Sequence, residues 1–501
     1  MMDKTDMRFD LLLQHYKKIP THTKVCFAAG IIVGWITHFY MLTHKFLNWD
    51  DANNMTTFGS GDYLGRWFLK YIHPLGGQYS VPAVHGFLLI VCIAVSACLI
   101  LEILQIKSMT AAVLTAAVLQ PFPSVVSTMT FMFMAHTSGI GILMAVYAVY
   151  LMRKYRHGWL PCTALLVCVL GTYQTYISFA ITLMLLGMIA DIFRGETFPG
   201  VLRRGILCVL VLGAGVLIYM KLSHVIYPAL DNETYGGIGN MGQIALGEMP
   251  TLIGRCYKRF LEYFLWKPPA FVSGTAQAAN IMVCVLAAAL FLYLAVTRRL
   301  YRDVPTFLIL VALCGFVPLA AAFVYFMAPE ATYSMLMLYA YALIYVTVLA
   351  LLEYCVEDWH RDPVSDRWRI GLRYAAVTLT AATVFVSSYT DYLLTNRAYL
   401  RTNFATERVQ QDFNRVIAMV GGTEGYENGD SIEILGEFYY RDNPSTVEVD
   451  ILDSESLREL DGVALENGLI TTSVRDNFIK MFVGYDMADL RFEDKEAIME
   501  T

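Results

Sequence analysis

Two adjacent carboxylates, Asp50 and Asp51, stand directly after the first apolar stretch of the chain, in a polar loop that continues to Gly65-Arg66-Trp67. Like charges held side by side repel each other, and each loses water when its surroundings are apolar. A cationic partner, a metal ion, or a proton to be transferred commonly offsets this cost. The pair is therefore the first candidate for a general base and for a site that binds a divalent cation such as Mg²⁺ or Mn²⁺.

The same loop offers groups for binding a ligand. Arg66 carries a guanidinium that suits a phosphate, and Trp67 carries an aromatic face that suits a sugar or an isoprenoid. A solvated polar loop with an interfacial tryptophan would have the same composition, so both interpretations stay open on spacing alone. Charges at the mouth of a membrane bundle lean towards function.

The elements that must position this loop are those of a polytopic membrane protein. The chain has 501 residues, of which 56% are hydrophobic and only 16% charged, against about 25% charged in a soluble domain. The apolar residues fall in blocks of roughly 18 to 25, the length that crosses a bilayer. We expect about eleven transmembrane helices, near residues 24–46, 82–105, 108–122, 127–152, 159–172, 174–192, 204–224, 276–297, 304–327, 333–352 and 371–390.

The positions of Lys and Arg in the short loops predict the orientation of these helices. Basic clusters follow the fourth, sixth, eighth and tenth spans, at residues 153–156, 194–204, 298–302 and 361–369. With the N-terminus inside the cell, all four clusters are cytoplasmic. The outer loop 47–81 with its Asp pair, the outer loop 225–275 and the C-terminal tail are then expected outside.

Further candidates are expected near the outer mouth. The apolar run 159–193 is too long for one span, and we expect a break at Gly171-Thr172-Tyr173-Gln174, because broken spans are tolerated where they line a cavity. This places Tyr173 and Gln174 beside the cavity. The second outer loop adds an amphipathic basic stretch, and the fourth span adds a histidine in its outer half: Arg255, Lys258, Arg259 and His136.

The tail differs in character from the rest of the chain. Residues 395–501 contain 22 acidic and 10 basic residues. A helix at 403–420, strands at 431–436 and 447–451, and short helices at 454–460 and 475–482 are expected there. The predicted fold class is therefore an all-α polytopic membrane protein with a small soluble C-terminal α/β domain. Its domains would be an N-terminal cytoplasmic or interfacial segment, 1–23, a transmembrane domain, 24–394, and an extracytoplasmic acidic domain, 395–501.

Three motifs, in this order and at these places in the topology, resemble the Gtr type II serotype-converting glucosyltransferase family: Asn48-Trp49-Asp50-Asp51-Ala52-Asn53, Gly65-Arg66-Trp67 and Gly171-Thr172-Tyr173-Gln174. The resemblance covers roughly residues 25–390. It implies a GT-C-type glycosyltransferase of the bacterial plasma membrane. Such enzymes take a sugar from a polyprenyl-phosphate carrier, such as undecaprenyl phosphate glucose, on the outer face and pass it to a surface polysaccharide such as O-antigen.

The resemblance also implies roles for residues. An acidic residue of the first outer loop is the usual catalytic base or metal ligand, which corresponds here to Asp50 and Asp51. We expect an inverting displacement with Asp51 as the favoured base, while Asp50 orients a residue or binds a cation. Basic residues should face the phosphate that leaves; the candidates on the outer side are Arg66, Arg255, Lys258 and Arg259.

Other classes of function remain open. A transporter or flippase of lipid-linked saccharides would also need many spans and charged groups facing a cavity, although the sequence shows no repeated halves. A polysaccharide polymerase or ligase would use the same type of donor, and a membrane scaffold that displays the tail would leave the Asp pair unexplained. The expected partners are the lipid-linked donor, a polysaccharide acceptor and the bilayer, with no nucleic acid.

Overall fold

The computed structural model describes residues 16–55, 64–77, 79–226, 247–327, 334–361 and 366–427, and in the tail 432–435, 456–457, 459–463, 469–470, 472–485 and 490–493. Helices dominate these residues. They are α1 Thr21–Thr43, α2 Trp49–Asn53, α3 Leu69–Ile72, α4 Pro82–Leu104, α5 Met109–Leu119, α6 Pro123–Thr130, α7 Ala135–Lys154, α8 Trp159–Thr172, α9 Tyr176–Phe193, α10 Phe198–Ile226, α11 Met249–Leu261, α12 Gly274–Thr297, α13 Val304–Ala321, α14 Val324–Met327, α15 Ala342–Arg361, α16 Arg367–Gly421 and α17 Thr472–Phe478.

Local sequence signals set where several helices begin. Asn48 precedes α2 and its side-chain oxygen accepts a hydrogen bond from the Asp51 backbone N–H at 2.7 Å, as a good N-cap does. Ser273 caps α12 in the same way. Pro82 and Pro123 stand at the first position of α4 and α6, where a missing N–H costs nothing.

Nine helices of the described residues are long and apolar enough to cross a membrane, or ten if the bent pair α5–α6 counts as one span. These account for nine or ten of the eleven expected spans, and the remaining one is the short apolar helix α8. The expected span 108–122 is interrupted: α5 ends at Leu119, and α6 starts at Pro123 after a bend of 44°. The expected span 159–172 is the 14-residue helix α8, only about 21 Å long.

Close packing of α1 on α4 positions the start of the Asp loop. Gly30 and Gly34 are four residues apart on α1, and a Cβ at either position would lie under 3 Å from Ala94 or Ile90 of α4. Small residues at this spacing let two membrane helices approach closely. The helix continues to Thr43, and the polar loop follows it.

The two ends of the bundle differ in charge. Ion pairs at one end join the loops that carry the basic clusters: Lys154–Glu102, Arg153–Asp191, Arg194–Glu357 and Arg298–Asp358. The Asp pair, the break at Tyr173 and the described residues that follow α16 lie at the other end. This grouping of loops is the one that the charge pattern predicts, while the assignment of either end to the cytoplasm stays a prediction.

The tail does not support a small, separate α/β domain. The helix expected at 403–420 is the end of α16, which has 55 residues and is therefore roughly 80 Å long, far beyond the ~30 Å of a hydrocarbon core. The expected domain boundary after residue 394 lies inside this helix. In the described part of the tail, the strands are β1 Ile432–Leu435 and β2 Leu490–Glu493, one parallel pair of four residues each.

Two other expectations for the tail have different outcomes. The short helix expected at 475–482 is confirmed as α17 and the π-helical turn Ile479–Val483 that follows it. The strand expected at 447–451 lies outside the described residues.

Candidate active site

Asp51 is fully buried, and donors surround its carboxylate. Oδ1 accepts hydrogen bonds from Ser80 Oγ at 2.9 Å and from the Phe133 backbone N–H at 2.8 Å. Oδ2 forms an ion pair with Lys45, whose Nζ also donates to Ser80 Oγ at 2.9 Å. Both carboxylate oxygens therefore have partners. Through them Asp51 connects α2 to Lys45, just after α1, and to Phe133, just before α7.

Asp50 has the opposite environment. Its side chain is half-buried and makes no hydrogen bond or ion pair within the described residues. Burial raises the pKa of its carboxyl above the ordinary value; nearby Arg66 acts to lower that pKa and Asp51 acts to raise it. Arg66 is thus within electrostatic range but not within the 4.0 Å of an ion pair. A carboxylate with a raised pKa and no donor is suited to accept a proton.

Arg66 is held against the break between α8 and α9. Its guanidinium carbon lies 4.7 Å from the centre of the Tyr173 ring, a cation–π contact. Its Nε is buried without a hydrogen-bond partner in the described part of the chain. The expected break is confirmed, because α8 ends at Thr172 and α9 begins at Tyr176. The guanidinium therefore has a donor left for a ligand.

Trp67 packs against the end of α8, next to Arg66. Only 9% of its surface is exposed, and a Cβ on Gly171 would lie 2.7 Å from its ring. The next residue, Phe68, donates its backbone N–H to the Gly171 carbonyl at 2.8 Å. These contacts hold the Arg66 segment on the end of α8, and they leave little of the indole face open for stacking.

Gln174 fixes the same segment from the other side. Its Nε2 donates to the Leu64 carbonyl and to Tyr219 Oη of α10, each at 2.9 Å. Gly65 lies between them with a φ of +76°, and a Cβ there would be 2.5 Å from Tyr219 Oη. Glycine is required at this position on both grounds.

The basic helix α11 reaches the site only in part. Arg255 and Lys258 are exposed, and Lys258 and Arg259 lie near Glu262 at 3.9 and 3.3 Å. Burial raises the pKa of Tyr325; Arg259 acts to lower it and Tyr173 to raise it. Arg259 is therefore within electrostatic range of Tyr325, and so is Tyr173, the ring that contacts Arg66.

His136 lies beneath the turn His73–Gly76 and is completely buried. Its Nε2 donates to the His73 carbonyl at 2.9 Å, and its ring centre is 4.2 Å from that of His85. Burial, followed by His85, lowers the pKa of His73 to about 4. The structure places His136 as a support for this turn rather than beside Asp50.

The tail packs on the helix that carries the Asp pair. Asn477 Nδ2 donates to Asn53 Oδ1 at 2.9 Å. Apolar residues of α16, of α17 and of the segments on either side of α17 bury Leu47 and Ala52 in one cluster: Ala405, Val409, Phe413, Leu469, Val474, Phe478 and Ile479. Asp461 accepts from Ser334 Oγ at 2.7 Å and from the Leu336 N–H at 3.1 Å, and burial raises its pKa. The tail therefore buttresses the loop that holds the candidate base.

The donor set does not favour a metal ion. Both oxygens of Asp51 already accept hydrogen bonds or an ion pair. No group of three or more His, Cys, Asp or Glu side chains is arranged for metal binding in the ranges that the structure describes. The described residues thus do not fit a divalent cation at Asp50 and Asp51, and no step below uses one.

Sequence reasoning missed four residues of this site: Lys45, Ser80, Tyr219 and Asp461. Lys45 follows α1 at the membrane edge, where a lysine usually extends to water. Ser80 and Tyr219 have no local signal, because their partners are distant in sequence. Asp461 is one of many acidic residues in the tail, and only the fold distinguishes it.

The fold and site define a polytopic membrane protein with a candidate acid–base centre at one end of its bundle. A model of the family described as Glucosyl transferase GtrII matches residues 39–352, more than half of the chain, and the protein belongs to that family. No curated protein and no solved structure matches the chain significantly. Membership implies a membrane glycosyltransferase that acts on a sugar donor and an acceptor.

Proposed function

We propose that this protein transfers a glucose-like hexose from a polyprenyl-phosphate-linked donor to a cell-surface polysaccharide at the outer face of the bacterial plasma membrane. The observation that carries the proposal is the contrast within the Asp pair. Asp51 accepts from three donors, whereas Asp50 is half-buried, has a raised pKa and lies within electrostatic range of Arg66 without forming an ion pair with it. The Asp50 carboxylate is therefore the one of the two that is free to accept a proton.

In the proposed reaction, Asp50 takes the proton from an acceptor hydroxyl. The acceptor oxygen forms a bond to the anomeric carbon from the side opposite the phosphate, and the bond from that carbon to the phosphate oxygen breaks. The configuration is inverted, and the polyprenyl phosphate leaves with the bonding electrons. Arg66, with its unpartnered Nε, meets the charge that develops on this phosphate.

Asp51 has a positioning role in this proposal. Its bonds to Lys45, Ser80 and Phe133 hold the first turn of α2, and with it the direction of the neighbouring Asp50 side chain. The assignment reverses the sequence-based preference for Asp51 as the base. A general base must reach the proton that it accepts, and both oxygens of the Asp51 carboxylate are already occupied by protein donors.

Orientation is part of the proposal. A lipid-linked donor suits a site outside the cell, where nucleotide sugars are not expected. The tail contacts the Asp loop through Asn477 and Asn53, so both must lie on the same side. Residues 395–501 contain no cysteine, so a single cysteine introduced in the tail should be labelled from outside intact cells. Labelling only after permeabilisation would contradict the proposed orientation.

Sugar analysis of the surface polymer, with and without this protein, tests the function. We expect one side-chain sugar to be missing without the protein, while the lipid-linked donor is still made and still reaches the outer leaflet. Donor trapped in the inner leaflet would identify a flippase instead. Shortened polymer with intact side chains would identify a polymerase or ligase.

A further inference from the structure

A cavity, here called the lateral cavity, opens between α12 and α16. Its volume is about 130 Å³, and its wall includes Pro123, Tyr263, Asn280, Tyr345, Asp391 and Arg397. Ser273, at the start of α12, also lines it. Because Arg298 at the other end of α12 belongs to the basic end of the bundle, the lateral cavity lies towards the end that carries Asp50.

The lateral cavity is separate from the Asp50 site. Helix α6 begins at Pro123 in the wall of the cavity. Phe133, whose N–H binds Asp51, follows three residues after the end of α6 at Thr130. The two sites therefore lie at opposite ends of this short helix.

Two ionisable side chains of opposite type in the wall have no side-chain partner among the described residues. Neither the Asp391 carboxylate nor the Arg397 guanidinium makes a side-chain hydrogen bond or ion pair within the described residues, and Arg397 Nε is buried and unsatisfied. The two groups line one cavity yet do not pair with each other. An unpaired charge inside a membrane protein is costly and commonly marks a binding site.

The other polar groups of the wall are already satisfied. Tyr345 Oη donates to Asn280 Oδ1 at 2.6 Å, and Asn280 Nδ2 donates to the Tyr263 carbonyl at 3.4 Å. The groups of the wall that still lack a hydrogen-bond partner among the described residues are therefore one acceptor, Asp391, and one donor, Arg397. A ligand that satisfies both must carry a hydroxyl donor for Asp391 and an anionic acceptor for Arg397.

The surroundings indicate a lipid. Leu393 lines the cavity and is 43% exposed, and the next apolar side chains along that face of α16, Phe385 and Tyr389, are exposed as well. The cavity thus opens sideways, towards the bilayer. The N-terminus of α12 beside Ser273 adds positive potential on the side where a phosphate would lie.

We propose that the lateral cavity binds a lipid whose headgroup joins a phosphate to neighbouring hydroxyls, with the phosphate on Arg397 and a hydroxyl donating to Asp391. Two sources have this chemistry: a polyprenyl-phosphate-linked sugar, which rests on the proposed function, and phosphatidylglycerol from the bulk membrane. The demand for such a headgroup comes from the unpaired charges and does not depend on catalysis at Asp50.

Native mass spectrometry of the full chain in phosphatidylcholine nanodiscs tests this proposal. The added probes are polyprenyl phosphate glucose, polyprenyl phosphate and phosphatidylglycerol, each titrated separately. Whichever lipid binds, we expect Arg397→Gln to lower its affinity by about tenfold or more, since a charged hydrogen bond is lost. Asp391→Asn should weaken a hydroxyl-bearing lipid to a similar degree and leave polyprenyl phosphate unchanged.

Three further variants make the result decisive. Ala276 also lines the cavity, so Ala276→Phe fills it without removing a charge and should abolish binding of the lipid. This variant keeps the proposal testable if a charge variant fails to fold. Arg369→Gln, an exposed position at the far end of α16, should bind as the wild type does. Asp50→Asn should bind the lipid as the wild type does while losing glucosyl transfer. Failure of the proposed function can therefore be distinguished from failure of the lipid site. Absence of binding to all three probes, or unchanged binding in both charge variants, would overturn the proposal.

Discussion

Asp51→Asn should lower the free energy of unfolding, whereas Asp50→Asn should not. Asp51 is completely buried and accepts from Ser80, the Phe133 N–H and Lys45. Asn has one acceptor oxygen instead of two, and its amide group would face a donor. Removing one partner of a buried ion pair costs about 3–5 kcal/mol. The side chain of Lys45 is 22% exposed and regains some hydration, so we expect about 3 kcal/mol.

The matched control is the neighbouring residue. Burial raises the pKa of Asp50, so the folded protein binds the Asp50 proton more tightly than the unfolded chain does. Ionised Asp50 therefore lowers stability at neutral pH, and this contribution grows as pH rises through the raised pKa. Asp50→Asn should leave the free energy of unfolding within about 0.5 kcal/mol of the wild type, or slightly higher.

The free energies of unfolding are compared by denaturant titration in detergent, monitored by intrinsic tryptophan fluorescence. A double-mutant cycle with Lys45→Met isolates the ion pair, and we expect a coupling of about 2 kcal/mol. Equal stability of Asp51→Asn and the wild type would refute the structural role of this carboxylate. Equal destabilisation by the two Asn variants would refute the contrast between the aspartates.

Three further predictions concern the surroundings of the pair. Because Arg66 lowers the pKa of Asp50, Arg66→Gln should move the acidic limb of the pH–rate profile to higher pH. Gly171→Ala places a Cβ 2.7 Å from the Trp67 ring, so it should cost about 1–3 kcal/mol and reduce transfer, measured by unfolding and by rate. Phe478→Ala, which opens the cluster behind α2, should cost about 3–5 kcal/mol in the same unfolding assay.

Each of these changes has a control or a contrary result. An acidic limb that stays in place in Arg66→Gln would show that Asp50 is not the titrating group. Gly213→Ala, in α10 with open space around the added Cβ, should behave as the wild type. Met419→Ala, at a side chain of α16 that is 69% exposed, should change stability by under about 0.5 kcal/mol; if Phe478→Ala is equally mild, the tail does not support α2.

Much of the membrane fold follows from local sequence. Apolar block lengths place the main helices, and the basic loops group correctly at one end because each loop carries its own charge. The break at Gly171–Gln174 is also readable, since a run of 35 apolar residues cannot remain one span. The short span that becomes α8 is likewise as predicted. The bend before Pro123 is not predicted, because hydropathy measures composition and not where a helix bends within the bundle.

The long-range parts of the site could not be read from sequence. Asp50 and Asp51 are chemically identical neighbours, and their difference comes from Lys45, Ser80 and Phe133, which reach Asp51 only in the folded chain. The continuity of α16 through the predicted boundary depends on its packing against Leu47 and Ala52. Local propensity alone does not report that contact.

The most direct test of Asp50 as the general base is the rate of glucosyl transfer by purified Asp50→Asn, with polyprenyl phosphate glucose as donor and the surface polymer as acceptor. Rates are divided by the amount of folded protein, so stability does not enter. Loss of a general base should slow transfer about 10²–10⁴-fold while donor binding is retained. Transfer by Asp50→Asn at nearly the wild-type rate would contradict the assignment.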